Sequence, residues 1–408
     1  MYPELFRLPI VGYPIKSYGF MLMVGFLTAI WFAMRRAERV KGDPDLILNL
    51  GFVALICGVV GARVFYVAHY WKTQFAPQPN PLLAAINLTA GGLEYYGGLL
   101  CAIAGASLYL AIKRASWRMY MDIVAPSVML GLAFGRLGCL LNGCCWGGLC
   151  VDAHNQAALP WAVQFPFSSP AYMRQWEERR VTAPAELLYT PQFLPGTNAP
   201  LARELLSLTP EERFGPIRQL EDLEQQYEDA KAAQAKPADL QKLQRRIKVA
   251  RDRVHALNAQ HDALHHALRF ASRTDPSRTI TYSELQDLAA AHKTLPVHPA
   301  QLYGIVNALI LSLLLSLVFY RRQRHGVVMG VMLVLYPISR IILEVIRTDN
   351  PHDSFGVTIS QAVSIGVVVF GILFLVVLYR YLPLRSPRAV PFVPPSGPAA
   401  ATDGLDTH

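Results

Sequence analysis

Seven long apolar runs, near 18–34, 46–68, 93–112, 120–141, 300–320, 327–346 and 357–379, are separated by polar segments. A helix that spans the hydrocarbon core needs roughly 20 mostly apolar residues, so each run predicts one crossing. The fold class that follows is an all-α polytopic membrane protein with about seven transmembrane helices. Between the fourth and fifth runs the pattern changes, and 148–297 is predicted to be a large, partly helical insert outside the membrane. Its first part, to about 208, carries Pro160, Trp161, Pro166, Pro170, Pro184, Pro191 and Pro195, a composition that suggests irregular structure packed on the membrane surface. From Thr209 the signals turn helical. Thr209-Pro210-Glu211-Glu212 offers an N-cap, a proline for the first turn and acidic residues for the helix dipole. Leu240, Leu243, Ile247, Val254, Leu257, Leu264 and Leu268 form an apolar stripe at three-and-four spacing. Pro237 interrupts the pattern, so a helical hairpin is expected over 209–270. The division expected is helices one to four in 1–147, the insert in 148–297, helices five to seven in 298–380, and a disordered proline-rich tail in 381–408.

Composition supports the bilayer as solvent. Of 408 residues, 52% are hydrophobic and 16% charged, against about 25% charged in an ordinary soluble domain. The formal net charge of +9 does not point to nucleic acid, because the basic residues cluster at the ends of apolar runs. Arg35, Arg36, Arg39 and Lys41 follow the first run, Lys113, Arg114 and Arg118 the third, Arg321, Arg322 and Arg324 the fifth, and Arg380, Arg385 and Arg388 the seventh. The positive-inside rule makes those ends cytoplasmic, with the N-terminus outside, the C-terminus inside and the insert on the outer face. Positive charge follows the first run rather than preceding it, which predicts a retained anchor, not a cleaved signal peptide.

Ionisable groups inside the membrane are expensive and therefore functional suspects. Arg63 lies in Gly61-Ala-Arg-Val-Phe-Tyr66, where snorkelling to the headgroups is the plain alternative. Arg136 sits within the fourth run between Gly135 and Gly138, which admit a close neighbour. Arg340 and Glu344 stand four apart on the sixth run and can pair on one helix face, with Tyr336 a turn earlier. Two arginines against one carboxylate leave positive charge that a lipid phosphate would match. Gly91-Gly92-Leu-Glu94-Tyr95-Tyr96-Gly97-Gly98 opens the third run, and reads either as a turn presenting amides or as a packing device. Cysteines 57, 101, 139, 144, 145 and 150 lack a secreted disulfide spacing, although a bridge from Cys150 to Cys144 or Cys145 stays open. No metal site or cofactor is expected: His255, His261, His265 and His266 lie on the helical arm without a further ligand.

Tyr18-Gly19, Gly61-Ala-Arg63, Tyr96-Gly97-Gly98, Gly135-Arg136-Leu-Gly138 through Asn142-Gly143 to Gly147, His298-Pro-Ala-Gln-Leu-Tyr303 and Arg340-Ile-Ile-Leu-Glu344 occur in one order. That order resembles the bacterial prolipoprotein diacylglyceryl transferases over essentially all the membrane helices. The resemblance implies a multi-pass inner-membrane enzyme that moves diacylglyceryl from phosphatidylglycerol to the lipobox cysteine of a preprolipoprotein, releasing glycerol 1-phosphate. By resemblance, Arg136, Arg340, Glu344 and Tyr96 would be catalytic. Arg63, Tyr18, Gly97, Gly98, Asn142, Gly147 and Tyr336 would bind substrate, together with Arg136. Three positions depart from the family pattern: Tyr96 stands for a usual histidine, Cys139 for an asparagine and Cys144 for a glutamate. The rival readings are an altered relative that binds anionic phospholipid as an interaction module, and a thiol–disulfide oxidoreductase built on Cys144, Cys145 and Cys150.

Overall fold

The computed structural model describes residues 4–7, 14–78, 80–88, 91–189, 198–208, 210–233, 237–274, 280–346 and 358–385. After a short antiparallel pair, β1 (Glu4–Arg7) and β2 (Pro14–Lys16), come helices α1 (Ser17–Arg39), α2 (Pro44–Tyr70), α3 (Pro81–Ile86), α4 (Tyr95–Ile112) and α5 (Trp117–Asn142). Next are α6 (Pro170–Glu177), strands β3 (Leu188–Tyr189) and β4 (Ala199–Pro200), α7 (Arg203–Leu206), α8 (Pro210–Ala232), α9 (Pro237–Thr274) and α10 (Tyr282–Ala291). The chain then forms α11 (Ala300–Arg321), α12 (Val327–Ile346) and α13 (Ile359–Arg380). Seven of these helices are long and apolar enough to cross a membrane: α1, α2, α4, α5, α11, α12 and α13. The protein is an all-α polytopic membrane protein. Residues 386–408 of the tail expected to be disordered, the side chain of Leu268 in the apolar stripe and Thr209 at the expected N-cap lie outside what is described.

Two compact units are resolved, one comprising 2–142 and 300–408, the other Gly143–Pro299. In the membrane unit α2 packs on α4, α1 on α5, α5 on α11 and α12 on α13. Its largest buried cluster includes Ala37, Leu46, Leu110, Ile123, Leu315 and Val328. These come from the C-terminal halves of α1, α4 and α11 and the N-terminal halves of α2, α5 and α12, so they close one end of an antiparallel bundle. Outward aliphatic side chains such as Leu313 and Val345 are 64% and 76% exposed, an arrangement that lipid tolerates and water does not.

Sequence explains the local breaks. Asp43 caps α2 by accepting hydrogen bonds from the amides of Asp45 and Leu46, with Pro44 at the first position. Beyond Tyr70 the same helix widens into a π turn, Trp71–Phe75, which extends the span past the expected end near 68. Pro337 has no N–H for the Leu333 carbonyl, and Gly371 of α13 brings its backbone against that point, where a Cβ would lie 3.1 Å from the Leu333 oxygen. At the closed end Asp122 accepts from the amides of Gly326 and Met329 at 2.7 and 3.0 Å and pairs with Arg322 at 3.0 Å, fixing the α11–α12 turn.

In the second unit the entering and leaving strands of chain run side by side. The amide of Gly147 donates to His298 O, that of His298 to Gly148 O, and that of Cys150 to Pro296 O, each at 2.9 Å. A small core of Phe167, Tyr172, Leu187, Leu201, Leu264 and Leu285 holds α6, α7 and α10 together, and α10 begins with a complete capping box from Thr281 and Glu284. Helices α8 and α9 pack along each other through Leu223, Ile247 and Ala250. Arg251 pairs with Glu224 at 2.6 Å, and Leu264 roots α9 in the core. None of the six cysteines is in a disulfide, so the bridge left open by the sequence is not formed here.

Candidate functional site

Towards the end of the bundle away from its closed core, the charges singled out in the sequence come together. The ion pair allowed by the four-residue spacing on α12 is formed, with Arg340 Nη1 on Glu344 Oε2. Glu344 is buried at 3% exposure, while the Arg340 side chain keeps 16%. The second carboxylate oxygen of Glu344 accepts a hydrogen bond from the Thr358 hydroxyl at 3.4 Å. Thr358 in turn accepts from the Gln361 amide at 3.1 Å as the N-cap of α13. The carboxylate is thus held from two helices, and it orients one guanidinium rather than being available as a base.

Arg136 reaches this region from α5 by crossing Gly304 on α11. A Cβ at position 304 would lie 3.2 Å from both Cγ and Cδ of Arg136 and 3.5 Å from its Nε. Only a glycine leaves room for the arginine to lie flat across α11. The phenol of Tyr95, in the first turn of α4, lies within electrostatic reach of Tyr96, Tyr336, Arg136 and Arg340. The groups that Tyr95 senses come from α4, α5 and α12: two guanidiniums and two further phenols, with the Glu344 carboxylate already committed to Arg340. The α11–α12 contact is pinned by Asn307, whose Nδ2 donates to Ser339 Oγ at 2.9 Å, and Ser339 donates to the Tyr336 carbonyl at 2.8 Å.

Arg63 is placed differently. It is 7% exposed, and its donors go to backbone carbonyls: Nε to Ala85 at 2.7 Å, Nη1 to Gly91 and Gly92 at 2.5 and 2.9 Å, and Nη2 to Ala84 and Asn87, both at 2.8 Å. A guanidinium has five N–H groups, and every one is used. Phe75 and Tyr66 flank it, with ring centroids at 5.4 and 5.8 Å. Arg63 neither snorkels nor offers a donor to a ligand in this state; it ties the loop after α3 to α2. Gly91 and Gly92 adopt φ of +78° and +79° there, which turns their carbonyls towards it.

The other sequence candidates have separate settings. Gly97 and Gly98 lie inside α4 against α2, where a Cβ would meet the Phe65 side chain or the Gly58 carbonyl, so they serve helix packing. Gly138 admits the Tyr18 backbone of α1 at 3.3 Å from where a Cβ would be, leaving the Tyr18 side chain 41% exposed. Asn142 ends α5, and Gly147 belongs to the second unit. The sequence reading passed over Tyr95, Gly304, Thr358 and the Asn307–Ser339 bond. Gly304, in Gln301-Leu-Tyr-Gly304, carried the clearest signal, as a glycine one turn into an apolar helix.

A family model described as prolipoprotein diacylglyceryl transferase matches residues 3–195 and 260–377, together more than half of the chain. The unmatched interval between them holds α8 and the first part of α9. Three relatives, each named phosphatidylglycerol–prolipoprotein diacylglyceryl transferase, align over shorter stretches. One from Rhodopirellula baltica is 42% identical over 169 residues, 40% of this chain and 32% of that protein. One from Bacillus cytotoxicus is 36% identical over 148 residues, 36% of this chain and 53% of that protein. One from a Shewanella species is 33% identical over 159 residues, 38% of this chain and 55% of that protein. The chain thus spans between about a third and about half the length of the curated relatives it matches.

Proposed function

Because the chain belongs to the prolipoprotein diacylglyceryl transferase family, we propose that it transfers the diacylglyceryl group of phosphatidylglycerol to the lipobox cysteine of preprolipoproteins. The observation that carries this reading is that Arg136 and Arg340 both lie within electrostatic reach of the Tyr95 phenol, with Glu344 fixing Arg340. In the reaction the cysteine sulfur forms a bond to the glyceryl carbon that bears the phosphate ester. The carbon–oxygen bond breaks and its electron pair leaves on glycerol 1-phosphate. The thiol gives up its proton, and the departing phosphate gains the matching negative charge.

Charge therefore grows on the phosphate oxygens as the transition state is reached. Cations already in place stabilise that state more than the bound ester. Guanidinium forks suit phosphate oxygens, and removal of one such donor typically costs about 10²–10³ in rate. Phenols at 95, 96 and 336 add hydrogen-bond donors without competing negative charge. With Tyr96 at the family's histidine position and Glu344 committed to Arg340, the arginines carry the larger share of catalysis. The positive-inside distribution favours a topology in which the arginine-rich ends of α1, α4, α11 and α13 face the cytoplasm across a bacterial inner membrane, with the N-terminus and Gly143–Pro299 outside.

The test uses the full chain purified in detergent with phosphatidylglycerol and a lipobox peptide, scored by glycerol phosphate release. Release should need the peptide cysteine and should fall by about 10²–10³ in Arg136→Ala. Phosphatidylglycerol that binds without any release would reject the transferase reading in favour of a lipid-binding relative.

A further inference from the structure

A second group of arginines lies at the closed end of the bundle, about 21 Å from Arg136 along α5 at 1.5 Å per residue from Asp122. There α11 and α13 flank a cavity of about 410 Å³, rimmed by Arg321, Arg322 and Arg324 and walled by Leu314, Leu317 and Tyr379. Arg322 is turned inward: it pairs with Asp122, donates to Phe319 O at 2.6 Å, and lies 3.7 Å over the Phe319 ring. Asp122 is the one carboxylate in contact with this group among the described residues, and its oxygens are already taken by Arg322 and two amides. Arg324 donates through Nη1 to Leu382 O at 3.1 Å and sits 5.2 Å over Tyr379, while Arg321 has no acidic partner among the described residues. Arg118 and Arg385 add to the same field, which together with burial pushes the His325 pKa down to about 4. The rim is a surplus of fixed positive charge.

Snorkelling arginines need only water, but these border a hollow whose wall also carries Leu314, Leu317, Val318 and Val327. Leu317 and Leu314 stand one and two turns deeper along α11, about 6 and 10 Å from Arg321 at the helical rise. They are 51% and 37% exposed on the lipid-facing side. Phosphate at the rim with an acyl chain along those leucines satisfies both surfaces, whereas a free anion satisfies only one.

We propose that this cavity binds an anionic diacyl phospholipid, its phosphate held by Arg321 and Arg324 and one acyl chain laid against Leu314 and Leu317. On the orientation proposed above, the lipid belongs to the cytoplasmic leaflet and is separate from the substrate at Arg136 and Arg340. The pairing is charge-assisted and partly desolvated, the setting in which arginine–phosphate contacts are strongest.

The experiment is native mass spectrometry of the full chain in detergent, titrated with dioleoyl phosphatidylserine or dioleoyl phosphatidylcholine. Wild type should bind one phosphatidylserine in preference to phosphatidylcholine. Arg321→Gln with Arg324→Gln should lower that preference at least about tenfold, as loss of two charged hydrogen bonds implies, and Arg136→Ala should keep it. Leu314→Trp, which fills the groove and leaves the rim intact, should also lose it and guards against misfolding of the double variant. The proposal is overturned if wild type shows no preference, if the double variant keeps it, or if Arg136→Ala removes it equally. Displacement of the lipid by an equal concentration of inorganic phosphate would identify a free-anion site and overturn the lipid assignment.

Discussion

Replacing Gly304 by alanine should reduce transfer without loosening the bundle. The new methyl would meet Cγ and Cδ of Arg136 at 3.2 Å, whereas carbon atoms attract best at about 3.5–4.0 Å. The overlap is a few tenths of an ångström on two atoms, and α5 is packed on both α1 and α11. Arg136 therefore yields, shifting its guanidinium by about half an ångström. A displacement of 1 Å at a reacting centre can cost about 10²-fold, so half that distance costs about tenfold, or ~1.4 kcal/mol of transition-state stabilisation. The fold responds with the opposite sign, because alanine is favoured over glycine inside a helix by about 0.5–1 kcal/mol. Glycerol phosphate release should give kcat/KM down about tenfold, while the melting temperature in detergent stays level or rises. An unchanged kcat/KM in a well-folded Gly304→Ala protein would refute the idea that Arg136 must lie across position 304 to work.

Glu344→Gln keeps a partner for Thr358 and removes the counter-charge of Arg340, so kcat should fall by one to two orders of magnitude, about the effect of misdirecting one donor; activity near wild type would show that Arg340 needs no orienting. Tyr95→Phe should lower kcat, because the Tyr95 phenol lies within electrostatic reach of both arginines; an unchanged kcat would remove Tyr95 from the site. Arg63→Gln strips the loop at 84–92 of donors each worth about 1.5–3 kcal/mol, so hydrogen exchange and protease nicking should rise within that loop and remain unchanged in α11. Burial first, and then Arg322, Arg118 and Arg385, hold His325 neutral, with its pKa lowered to about 4 in the fold against 6.5 when unfolded. The unfolded chain then binds the extra proton, so stability should decline as pH falls from about 6.5 towards 4. His325→Gln should flatten that slope in a melting series.

The crossings were legible because a membrane span is a matter of length and polarity, and both are local. The third run, expected at 93–112, forms Tyr95–Ile112. Where the expectation for α2 stopped short, the cause was local too: His69, Tyr70, Trp71 and Lys72 are polar or amphipathic, yet the π turn keeps them in the helix. Arg340 and Glu344 could also be read as a pair, since both sit on one helix face. Arg63 could not be resolved in the same way. Its alternatives were a ligand contact and a snorkel, and its actual partners are carbonyls in a loop more than 20 residues later, whose direction depends on two glycines with positive φ.

The choice between Tyr95 and Tyr96 exposes the limit of reading a motif by position. Adjacent residues on a helix point about 100° apart, yet the Tyr95 and Tyr96 rings pack edge to face with centroids 5.6 Å apart, so both phenols belong to one patch. Resemblance favoured Tyr96, because it stands where the family usually has histidine. Coordinates bring Tyr95 within reach of Arg136 and Arg340 because Gly97 and Gly98 press α4 onto α2. That contact fixes the rotation of α4 about its axis, and with it the placement of both phenols. Widening Gly98 to alanine, whose methyl would meet the Gly58 carbonyl at 3.0 Å, should disturb activity through Tyr95, and the loss should be smaller in a Tyr95→Phe background than in wild type.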